Sequence, residues 1–118
     1  MITKSKGQIE DTIAKEITGF YADKLGLGPR QSRVYLTHDM VIIRLKGNMH
    51  PYEHILLKKS HGIALIKNMR TAILESVVDD LTAIIEKNVN AKVVSTHADS
   101  STRTGERFVI LTLDRVIE

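Results

Sequence analysis

Cysteine is absent from this 118-residue chain. Disulfides, cysteine-based zinc sites and thiol catalysis are thereby excluded. The absence also agrees with a cytoplasmic location, which is the expectation. Tryptophan is missing and aromatics make up only 4%, so the core has to be built from Ile, Leu and Val. No stretch approaches the roughly 20 apolar residues of a membrane-spanning helix. The opening residues Met1–Gly7 are polar and lack the apolar run of a secretory signal.

Charge of one sign is lacking too. The net charge is +3, from 17 basic and 14 acidic residues interleaved along the chain. Nucleic-acid binders concentrate Lys and Arg on one face or stripe. Neither that pattern nor an RNP-like aromatic strand is present, which argues against a nucleic-acid partner. Gly26-Leu27-Gly28-Pro29 lacks the third glycine and the preceding strand of a dinucleotide fingerprint. There is no P-loop and no Gly-x-Ser-x-Gly elbow. No cofactor is expected.

What is present reads as one domain over residues 1–118. Ile9, Ile13, Ile17, Phe20 or Tyr21, and Leu25 recur at helical spacing and predict a helix over 8–25. Ser5 and Gln8 have capping-box spacing before it, and Gly26 to Pro29 end it. Alternation then predicts strands over 32–37 and 40–46, joined at His38-Asp39 as a hairpin. Val34 and Leu36 share one face of the first strand; Val41, Ile43 and Leu45 share one face of the second. Pro51 suits the first turn of a short helix over 51–58. A long helix is expected over about 60–88, with Ser60 as its cap. Strands over 92–98 and 107–113 complete the order α-β-β-α-α-β-β. The expected fold class is α+β: a four-stranded, mainly antiparallel sheet from two hairpins, with helices packed on one face.

The long helix outruns such a domain. About 28 residues rise roughly 42 Å, against a radius of gyration of about 13.5 Å for a compact chain of this length. Its stripe of Ile66, Met69, Ile73, Val77, Leu81 and Ile84, widened by Leu74, Val78 and Ile85, needs a cover. A second copy supplies one, so a homodimer through residues 60–88 is expected. A break near Gly62 or near Val78-Asp79 would let one molecule cover the whole stripe instead.

Chemistry-bearing residues concentrate in the last hairpin: His97, Asp99, Ser101, Thr102, Arg103, Thr104, Gly105, Glu106 and Arg107. Hydroxyls, N–H groups around Gly105 and the arginines are the donors of an anion site. His97, Asp99 and Glu106 are types that ligate metal or exchange protons. His97 and Asp99 fall on one face of an extended strand, where Glu106 or Arg107 would oppose them. The same run reads equally as a long polar turn, because Ser, Thr, Asp and Gly favour turns for local reasons. Arg44 joins the candidate anion ligands, and it can pair with Asp99 or Glu106 if the hairpins adjoin. His50-Pro51-Tyr52-Glu53-His54 lacks the spacing of a zinc-peptidase motif and is read as surface polarity, with no metal assigned.

Four runs carry a family resemblance: Gly28-Pro29 before the first strand; Asp39-Met40-Val41-Ile42-Ile43-Arg44-Leu45-Lys46-Gly47; Pro51-x-Glu53; and His97-x-Asp99-x-Ser101-Thr102-x-Thr104-Gly105-Glu106. In these the chain resembles the MpsC family over nearly its whole length. It departs at Met49-His50-Pro51, where the family more often has Leu-Thr-Pro. The resemblance implies a non-enzymatic, cytosolic accessory or regulatory protein. It would serve a bacterial sodium-linked system that generates membrane potential and supports bicarbonate uptake. It would act through protein contacts, with a membrane protein among its possible partners. Two alternatives stand beside it: a small-anion or nucleotide sensor using residues 97–107, and a metal-dependent hydrolase using His97, Asp99 and Glu106.

Overall fold

Ser5 opens the first helix, α1 (Lys6–Leu25), with the reciprocal bonds of a capping box. Gln8 N–H donates to Ser5 Oγ at 3.2 Å and Ser5 N–H to Gln8 Oε1 at 2.8 Å. Gly26 closes the helix at φ 78°, a left-handed conformation glycine adopts without a Cβ clash. The computed structural model describes residues 4–26, 28–47 and 49–117.

The hairpin β1 (Gln31–Thr37) and β2 (Met40–Lys46) follows, turning at His38, φ 57°. Next come α2 (Pro51–Leu57), α3 (Gly62–Val89), β3 (Val93–Ser100) and β4 (Arg107–Leu113). The sheet order is β1-β2-β4-β3 and every pairing is antiparallel. The two hairpins therefore adjoin through β2 and β4. The expected α+β class, element order and sheet are what the chain adopts.

Helices lie on one face of the sheet. Alternation places Val34, Leu36, Val41, Ile43, Leu45, Val109, Leu111 and Leu113 against Ile13, Ile17 and Tyr21 of α1 and Val77, Leu81, Ile85 and Val89 of α3. Edge strand β1 has one of its N–H groups satisfied by a side chain: Leu36 N–H donates to Glu10 Oε2 at 2.7 Å.

Helix α3 departs from expectation at its start. Ser60 does not cap it. His61 does, at φ 64°, after a turn in which Lys59 N–H donates to Leu56 O and Gly62 N–H to Lys59 O. The reason is a close approach: a Cβ on residue 62 would lie 1.7 Å from Leu56 O. From there α3 runs as one helix to Val89, without a break near Val78-Asp79. Strand β3 also extends to Ser100 rather than Ala98.

An unbroken α3 has to overhang. A seven-residue strand spans only about 23 Å, and the molecule measures 55 × 24 × 21 Å. The half of α3 from Val77 onward lies in the core. Of residues 62–76 only Gly62 and Ile66 are buried, and α2 is the helix that packs along this half. Ile63 and Leu65 are each about half exposed and Ile55 of α2 is 61% exposed.

Candidate ligand-binding cleft

Where α3 leaves the sheet it opens a cleft over the start of β4 and the end of β3. Apolar side chains from α3 (Ile73, Leu74, Val78) form one wall; Thr96, Ala98 and Val109 of the sheet form the other. The volume is about 250 Å³. A smaller cavity of about 160 Å³, toward α2, shares Tyr21, Arg70, Ile73 and Arg107 with it. Two arginines and a tyrosine thus stand between the two spaces.

Arg70 is committed. Its Nε donates to Glu53 Oε2 at 2.9 Å and an Nη to Glu53 Oε1 at 3.1 Å, a two-pronged ion pair. Glu53 is 1% exposed, and His50 N–H donates to its Oε1 at 2.9 Å. Burial pushes the Glu53 carboxyl up, but the bonds from Arg70 and His50 outweigh it and hold the pKa below the ordinary carboxylate value. Arg70 also reaches Met49 Sδ and the Gly105 carbonyl. One guanidinium therefore ties α2, α3 and the β3–β4 turn together.

Arg107 is not committed. Its guanidinium lies over the Tyr21 ring, 5.4 Å from the centroid, a cation–π arrangement. Its Nε is buried and has no hydrogen-bond partner among the described residues. Burial lowers the Arg107 pKa from its ordinary value, and the like charge of Arg70 adds to that. Burial raises the Tyr21 phenol, which Arg107 partly offsets. A guanidinium does not lose its proton at any physiological pH. The cleft therefore holds a fixed positive charge in an apolar setting.

The sheet separates the residues singled out from sequence. Ser100 lies opposite Arg107, Phe108 opposite Asp99 and Ile110 opposite His97. The expectation that Glu106 or Arg107 would oppose His97 and Asp99 fails, because the turn closes at Ser101–Glu106 and sets this register. Within that turn Gly105 N–H donates to Ser101 O, Ser101 Oγ accepts from Arg103 and Thr104 N–H, and Thr104 Oγ1 accepts from Glu106 N–H. Gly105 takes φ 81°. The hydroxyls of Ser101 and Thr104 and the N–H of Gly105 thus hold the turn itself, while Thr102 and Arg103 lie at its tip.

Arg44 and Glu106 do pair, at 2.8 Å, as adjoining hairpins allow. They lie on the face of the sheet away from the helices, with Arg44 above the Phe108 ring. Asp99 is exposed; its pKa is lowered by the Ser100 N–H and by Lys67, 3.1 Å away. Among the described residues no three His, Asp or Glu side chains converge into a metal-binding group. Of the expected set, Asp99 and Arg107 line the cleft, and Arg107 alone lines the smaller cavity as well.

Sequence reasoning missed Tyr21, Glu53 and Arg70. Glu53 was grouped with surface polarity and is instead fully buried, because Arg70 neutralises it from the neighbouring helix. The available signal was Arg70 itself, a charged residue four positions after Ile66 in the apolar stripe.

Comparison with known proteins bears on this arrangement. Residues 5–115 match the family model described as MpsC, Na+-translocating membrane potential-generating system. A Bacillus subtilis (strain 168) protein named uncharacterized protein YbcI is 39% identical over 115 residues, covering 98% of this chain and 93% of that protein. No solved structure matches. Among the described residues no helix is long and apolar enough to cross a membrane.

Proposed function

The chain belongs to the MpsC family, and on that premise we propose that it is a non-enzymatic, cytosolic accessory or regulatory component of the sodium-linked membrane system. Through that system it serves bicarbonate uptake. It acts by protein contacts, first with a second copy of itself along α3, then with a membrane protein.

The observation that carries this reading is the uncovered half of α3. Ile63, Leu65 and Ile55 leave large apolar surface in water on an arm that α2 covers only in part. Large apolar side chains left exposed on an uncovered arm are candidates for an interaction surface. A second copy related by a twofold axis presents the same arm in return, so one patch serves both subunits. The charges around the cleft support a binding rather than a catalytic role. Glu53 is neutralised by Arg70 and Asp99 by Lys67, and on the opposite face of the sheet Glu106 by Arg44, so these carboxylates are engaged as ion-pair partners.

Analytical ultracentrifugation tests the first contact. The wild type is expected to sediment as a dimer, and Ile63→Glu and Leu65→Glu to sediment as folded monomers. A monomeric wild type, or a dimer indifferent to both substitutions, would defeat the assignment of α3 as the contact.

A further inference from the structure

The cleft carries an inference beyond protein contacts. Its charges nearly cancel in pairs. Arg70 is matched by Glu53 and Lys67 by Asp99. Glu75, also along the cleft, is exposed to solvent. Arg107 remains, with a buried Nε that no described residue engages. A buried donor without an acceptor is costly, and a charged one more so.

The Tyr21 ring beneath this guanidinium restricts its plane, so the fork is pre-organised. Arg107 is the cleft's one cation without an ion-pair partner among the described residues; the exposed Glu75 is its one unpaired anion, and the less exposed guanidinium suits a negative group on a ligand. A carboxylate in the cleft meets the Nη end of the guanidinium with paired N–H···O bonds, the Nε being enclosed by protein. The rest of the cleft is apolar along Ile73, Leu74 and Val78. Its volume of about 250 Å³ is on the scale of a short chain or a single ring.

We propose that this cleft binds a small amphiphilic monocarboxylate, with its carboxylate on Arg107 and its apolar body along Ile73, Leu74 and Val78. The site differs from the turn at 101–106. It lies behind that turn, on the helix side of the sheet. The walls come from α3 on one side and β3–β4 on the other, so an occupant bridges the root of the overhanging arm and the sheet.

Octanoate is a suitable probe, with octan-1-ol as the control lacking the carboxylate, and inorganic phosphate and bicarbonate as anions lacking the apolar body. The readouts are the Arg107 Nε–H resonance in a proton–nitrogen correlation spectrum and the melting temperature. Octanoate is expected to shift the resonance, through the engaged Nη end of the same guanidinium, and raise the melting temperature, while octan-1-ol, phosphate and bicarbonate do so weakly. Arg107→Gln should weaken octanoate binding roughly 10- to 100-fold, the loss of a charged hydrogen bond. Ala98→Phe, on the exposed side of the cleft, should block the apolar body while leaving Arg107 in place. If Arg107→Gln does not fold, Ala98→Phe and the resonance still decide. An unmoved Nε–H, or equal binding by either folded variant, overturns the site. Phosphate or bicarbonate acting as strongly as octanoate overturns the amphiphilic ligand.

Discussion

The two halves of α3 are alike in composition and unlike in fate. Counting Ala, Ile, Leu, Met and Val, residues 62–75 hold eight and residues 76–89 hold seven. Yet Val77, Leu81, Ile85 and Val89 are buried, while Ile63 and Leu65 stand half in water and Ile73 is 36% exposed. The difference is what lies opposite. The second half faces the sheet and α1; the first faces only α2, the cleft and a polar turn. In the second half hydrophobic burial supplies the adhesion. In the first, Ile66 is the one large apolar side chain fully buried, and the Glu53–Arg70 ion pair joins α3 to α2 beside it.

Arg70→Met breaks this comparison most sharply. It leaves Glu53 buried without a cation, a loss of about 3–5 kcal/mol where measured for such pairs. Hydrogen exchange should show it locally: faster exchange over 51–57 and 62–70, with protection retained over 77–89. Acid should act the same way. The folded pKa of Glu53 lies below its unfolded value of 4.5, so its stabilisation is complete above pH 4.5 and is lost as pH falls through the folded value. Glu53→Gln should remove that pH dependence; an unchanged acid profile of α2 exchange would contradict it.

Leu81→Ala tests the other half. A cavity beneath the sheet-facing stretch should cost about 2–5 kcal/mol. Denaturant melts should show the loss as global, with exchange raised uniformly rather than in the arm. Gly62→Ala comes next. Its Cβ meets the Leu56 carbonyl, so the α2–α3 corner must shift at a cost of about 1–3 kcal/mol, as for overpacking generally. That loss should again map to α2.

The smallest effect belongs to the open face of the sheet. Arg44 and Glu106 are a third and a quarter exposed, so solvent screens them. Removing either should cost no more than about 1 kcal/mol. A double-mutant cycle comparing this pair with Glu53–Arg70 sets the two against each other directly. Equal coupling energies would mean that burial does not separate the two regions.

Much of the fold was legible because it rests on local patterns. Strand alternation grouped the core-facing residues of β1 and β2, and the Ser5–Gln8 box and Gly26 bounded α1. The site was less legible. The run from His97 to Arg107 drew attention by composition, yet most of its polar groups hold a turn or lie exposed. Arg107 points elsewhere, because strand side chains alternate between faces. The start of α3 was misplaced because Gly62 answers to a carbonyl six residues earlier rather than to a capping side chain.

The sequence by itself determined the elements, their order and the need for an Ile, Leu and Val core, since periodicity and caps act within a few residues. Only the tertiary structure decided the rest. The order β1-β2-β4-β3 brought Arg44 to Glu106, 62 positions apart. The docking of α2 buried Glu53 against Arg70, 17 positions apart. The departure of α3 from the sheet left Arg107 apart from those ion pairs. Charge pairing and burial depend on which surfaces meet in space, and no local pattern encodes that meeting.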